Sequence, residues 1–90
     1  MTTIWGSLER IEDDLHGTCW IEVKAILSGS MTIRVRALVG KHTLIARGIE
    51  RVDLSVLRAG DLVEISYRHG RDGFMEAEMI YIRPDRVAVV

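Results

Sequence analysis

A single cysteine, Cys19, excludes an internal disulfide, and one thiol suits a reducing compartment. No apolar run comes near the roughly 18 residues that a membrane-crossing helix needs, so no membrane partner is expected. The opening stretch MTTIWGSLERIEDD carries acids where a secretion signal needs an apolar run. The expectation is a soluble, cytoplasmic chain. An excess of one charge is also missing: Lys and Arg number 12 against 13 Asp and Glu, a formal net charge of -1. Without a global basic field, a polyanion would have to be held by local clustering of cations. Aromatic residues make up only 6% of the chain, and the stretch over residues 18–39 carries one, Trp20, where single-strand binders usually show several.

Catalytic signatures are absent too. The chain has no HExxH, no Gly-rich phosphate loop and no Ser/His/Asp order. A barrel of 90 residues leaves little room for an enclosed pocket of the usual few hundred Å3. The expectation is therefore no enzyme, no catalytic residues and no cofactor. His16, Cys19, Met31, His42, His69, Met75 and Met79 could ligate metal, but no spacing among them marks a site, so no metal residues are assigned.

What the chain does have is a period of two. It is 48% apolar and 28% charged, which suits one small folded domain over residues 1–90. In CWIEVKAILSGSMTIRVRA, one alternating set is Cys19, Ile21, Val23, Ile33, Val35 and Ala37. The other includes Trp20, Glu22, Lys24, Thr32, Arg34 and Arg36. That pattern predicts two half-buried strands, over residues 18–27 and 31–39, joined at the SGS turn. A first strand is expected over residues 3–11, with Gly6 marking a bulge or tight coil. Gly40 and Gly48 are expected to punctuate a separate short piece over residues 43–47. Asp53 is expected to cap a short helix over residues 54–58, with Val52, Val56 and Leu57 buried and Gly60 ending it at positive φ. Two further strands follow, DLVEISYR and FMEAEMIYIR, around an Asp-Gly hairpin. The alternation slips near Glu78, as at a bulge. The only proline, Pro84, stops that strand, and residues 84–90 form an apolar tail or edge strand.

Five or six strands and one short helix predict an all-β fold: an OB-like barrel, with an SH3-like barrel or a β-sandwich as alternatives. Gly6 and Leu8 before an acidic turn, then Leu57, Gly60, Asp61, Val63 and Ile65, then Gly73, Ala77 and Ile80, resemble small bacterial OB-like domains of unassigned function. The resemblance covers the two ends of the chain and implies the fold. It leaves the ligand open, since members of the wider fold bind nucleic acid, metal or protein. In the Gly-Asp element, Gly60 permits the turn and Asp61 is expected to bond the local backbone.

The face carrying Trp20, Lys24, Arg34 and Arg36 is the candidate ligand surface, with Lys41 and Arg47 as further cations. It has two readings: an ordinary solvated face with Glu22 pairing the arginines, or a contact for protein or single-stranded nucleic acid. Val87, Val89 and Val90 are candidates for self-association by strand addition. The leading expectation is a non-enzymatic binding module for protein association or homo-oligomer formation. The alternatives are weak single-stranded nucleic-acid binding and a metal or small-ligand carrier.

Overall fold

The structure is a computed structural model and describes residues 2–13, 17–70 and 73–83. Six strands follow in order: β1 (Thr2–Asp13), β2 (Cys19–Ser28), β3 (Met31–Arg47), β4 (Glu50–Arg51), β5 (Leu62–His69) and β6 (Met75–Ile82). The first three form an antiparallel meander, β1 also pairs with β5, and β5 pairs with β6. A parallel pairing of β6 with β3 closes the ring, and the two-residue β4 extends β3's far end. The result is a closed five-strand mixed barrel plus one extra strand, a small OB-like barrel. Among the described residues, no helix is long and apolar enough to cross a membrane.

Two strands change neighbours partway along. β1 pairs with β5 over its first half and with β2 over its second, and the handover falls at Gly6, which pairs with both Ala25 and Val63. A Cβ at Gly6 would collide with the Lys24 carbonyl oxygen and stand 2.8 Å from the Ala25 Cα. Glycine is therefore required by close backbone approach, the tight-coil reading of this position. The bulge in β1 lies further on, at Glu9, between the pairs Leu8–Val23 and Arg10–Glu22.

β3 behaves similarly but differs from expectation. The sequence predicts a break at Gly40, yet one 17-residue strand runs from Met31 to Arg47. It leans on β2 first and on β6 from Leu38 onward. Between the pairs Val39–Ala77 and Leu44–Met79, residues 40–43 of β3 face Glu78 alone. The chain arches outward there instead of ending. The Thr43 hydroxyl fastens the arch: it accepts the Gly40 N–H at 3.0 Å and donates to the Ala77 carbonyl at 2.7 Å.

The inward row buries Leu8, Ile21, Val23, Ala37, Ile45, Val63, Ile65, Ala77, Ile80 and Ile82 around one core. Cys19 and Val35 are buried as the alternation predicts, but Ile33 is 45% exposed. β6 reaches β3 only at Leu38, so among the described residues no strand flanks Ile33 on that side. The slip at Glu78 is real: Ser66 pairs with Met79 and Tyr67 with Ala77, which leaves Glu78 as the extra residue.

The expected helix is not formed. Leu54–Val56 makes a single 3-10 turn, and the Asp53 side chain makes no capping bond. Strand-like bonds draw the chain back to the sheet too soon for a longer helix: Gly60 N–H donates to the Leu8 carbonyl and Leu8 N–H to the Asp61 carbonyl. Val52 and Val56 are only partly buried, packed against the core from its margin, because the single turn does not bring a full face inward. Leu57 is buried, Gly60 has φ +97, and the Asp61 carboxylate accepts the Arg58 N–H at 2.9 Å. Pro84, Val87, Val89 and Val90 lie outside the described residues.

Candidate functional site

Cross-strand register builds the site. Lys24 stands opposite Arg34, Glu22 opposite Arg36, and Trp20 opposite Leu38. Trp20, Lys24, Arg34 and Arg36 thus share the outer surface of β2 and β3, as the alternation predicts. Trp20 is half-buried. The Arg36 guanidinium carbon lies 4.6 Å from its ring centroid, within cation–π range. Phe74 meets the same ring edge-on, with centroids 5.4 Å apart and planes at 75°. Phe74 was not among the expected site residues. In the sequence, the Asp-Gly dipeptide before it is the hint of its placement, since such dipeptides mark the mouth of a strand; residues 71 and 72 of that loop lie outside the described residues.

The electrostatics of this face are close to balanced. Arg34 reaches Glu9 and Glu22, each at 3.9 Å. Arg10 pairs with Glu12 at 3.4 Å. Lys24 and Lys41 make no ion pair among the described residues. Arg47 sits at the far end of β3, opposite Glu50 and Ile82, and so is not part of the Trp20 surface.

A single register row continues round the barrel from Trp20: Glu12, Trp20, Leu38, Glu76 and Arg68 are successive partners on β1, β2, β3, β6 and β5. Beside Leu38 this row opens into a cleft of about 540 Å3, at the place where residues 40–43 arch away from β6. Thr18, His42, Thr43, Arg68, Glu76 and Glu78 are among its walls. Arg68 Nε sits 3.5 Å from Glu76 and 3.3 Å from Glu78. The cleft is open to solvent and is not an enclosed pocket, and both glutamates stay partly exposed at its wall. The cleft depends on the parallel β3–β6 pairing, and no local pattern encodes that pairing.

Chemically reactive groups are few. Burial, the Asp13 charge and a thiol hydrogen bond to that carboxylate push the Cys19 thiol up to about 11, so it stays protonated and non-nucleophilic near neutrality. Among the described residues no three His, Cys, Asp or Glu side chains gather as a metal cluster. His16, the sequence neighbour of Cys19 considered for metal, lies outside the described residues.

No protein-family model matches the chain, and neither does any curated protein or solved structure.

Proposed function

We propose that this chain is a non-enzymatic, cytoplasmic binding module that works by protein association. Its contact surface is the outer face of β2 and β3, centred on Trp20, Arg36 and Phe74. One observation carries the reading. Two aromatic rings and an arginine are gathered on a surface where the neighbouring Arg34 already stands beside two carboxylates. Aromatic residues and arginine anchor protein interfaces, where they fill pockets while charged residues are kept to the rim. A polyanion gains little from an arginine that is already compensated.

Single-stranded nucleic acid is the second reading. It is favoured by the position of the Trp20–Arg36 pair on the strand 2–3 face, the surface that OB barrels use for oligonucleotides. Two measurements separate the readings. Intrinsic tryptophan emission is titrated with a mixed oligonucleotide at low salt, and chemical cross-linking in cell extract is compared between the native chain and a Trp20→Ala/Phe74→Ala variant. Protein association predicts no oligonucleotide response at high micromolar concentration and cross-links that the double variant loses. Oligonucleotide binding that weakens steeply with salt, with cross-links the variant keeps, would reverse the assignment. Light scattering with residues 87–90 deleted reports whether self-association through Val87, Val89 and Val90 contributes.

A further inference from the structure

Among the described residues, the pairing of β3 leaves one stretch of backbone without a strand partner. β2 covers one side of β3 along residues 31–39, but β6 joins the other side only at Leu38. Among the described residues no strand lies against that second side at residues 31–37. At about 3.4 Å per residue this edge is roughly 20 Å long, the length of an ordinary strand. Its alternate N–H and C=O groups point away from β2, ready to pair with an added strand.

The side chains say what kind of strand fits. On the inward row of this edge, Met31 is 61% exposed and Ile33 45%. On the outward row stand Thr32, Arg34 and Arg36, all exposed. The two carboxylates near Arg34 come from β1 and β2, on the side of β3 away from the edge. An arriving strand therefore meets the arginines before the glutamates. Those ion pairs are long and solvated, so they hold Arg34 only weakly. A second copy of the same edge is disfavoured, because antiparallel self-pairing over the full stretch, centred on Arg34, would set Arg34 beside its own copy.

We infer that residues 31–37 of β3 are a strand-addition edge for an extended segment of a partner protein in which carboxylates alternate with aliphatic side chains. The carboxylates lie beside Arg34 and Arg36, and the aliphatic row covers Met31 and Ile33. Main-chain hydrogen bonds supply the affinity and the alternation supplies the specificity. The inference rests on the protein-association reading and gives the partner's chemistry, since the edge runs up to Arg36 and so to the Trp20–Phe74 pair.

The test uses a labelled nine-residue peptide alternating Glu with Val, followed by fluorescence anisotropy. Comparators are the Lys–Val analogue and two Glu–Val peptides N-methylated on alternate sets of amides. The Glu–Val peptide is expected to bind at least tenfold more tightly than the Lys–Val one. An Arg34→Glu/Arg36→Glu variant should reverse that order. Only one of the two methylated peptides should lose binding, because one set of amides faces the edge, and exchange of alternate amides within residues 31–37 should slow. Equal binding of the Glu and Lys peptides, or equal binding of both methylated peptides, overturns the inference. Edge amides protected by raising the protein's own concentration would overturn it too, in favour of a second copy. If cross-links disappear in the Trp20/Phe74 variant but persist in the Arg34/Arg36 variant, the edge inference fails while the association reading stands.

Discussion

Arg36 covers one face of the Trp20 ring at 4.6 Å, although the two residues come from different strands and are not direct cross-strand partners. The contact is diagonal: Glu22 stands opposite Arg36, and Leu38 opposite Trp20. An Arg36→Met variant keeps the aliphatic stem and removes the cation. It should lower stability by about 0.5–1 kcal/mol, the range for exposed cation–π pairs. Urea unfolding monitored by circular dichroism measures the loss, and the native tryptophan emission should change with it.

Gly6 predicts a larger effect. A methyl group there meets main chain, not a flexible side chain, so relief requires moving β2 away from β1. Gly6→Ala should cost more than about 2 kcal/mol, in the range of overpacked cores. Gly40→Ala is the control: an added Cβ there has nothing within 4 Å, and stability should change by less than about 0.5 kcal/mol. Thermal denaturation of the two variants side by side checks the contrast.

Thr43 holds the arch of β3 with one hydroxyl that both accepts and donates. Thr43→Val keeps the shape and removes both bonds. The expected loss is about 1–3 kcal/mol, because the part-buried Ala77 carbonyl is left without its partner. Amide exchange at Gly40 should quicken selectively in the variant, while the opposite end of the barrel keeps its protection.

Cys19 predicts a pH dependence. Its thiol holds a proton up to about 11 in the folded chain, against 9.0 for the free group. The unfolded chain ionises first as pH rises, so the native state loses stability between about pH 9 and 11, and this contribution is intact below 9. Cys19→Ala should lose less stability than the native chain across that window, and the difference between the two should be constant below it. Chemical denaturation at stepped pH measures both. Thiol labelling at pH 8 should be slow until the protein unfolds.

Much of this fold is legible in the sequence because a half-buried strand writes its two faces alternately. Ile21, Val23, Val35 and Ala37 appear as one wall for that reason, and the slip at Glu78 appears as a break in the same rhythm. Ile33 shows the limit. Its parity is correct, but burial needs a neighbour on both sides, and where β6 joins is not a local property. The helix expected after Asp53 fails for a related reason: the bonds from Gly60 and Asp61 to Leu8 are long-range and override the local propensity. In the site, the cross-strand set of Trp20 and the arginines follows from a two-residue hairpin turn with Gly29 at φ +57. Phe74 and the Arg68–Glu76–Glu78 group do not follow, since they meet the rest only through barrel closure.

The parallel seam between β3 and β6 also governs the order in which the chain can fold. Leu38 must find Glu76 and Arg47 must find Ile82, with β4, the 3-10 turn and β5 all lying between them in sequence. The β1–β2–β3 meander can form from near neighbours as the chain emerges, but its inner wall stays wet until β6 has been synthesised. Closure of so long a loop is slow compared with hairpin formation. The barrel therefore cannot close until β6 is available to pair with β3, whatever the meander has done before then.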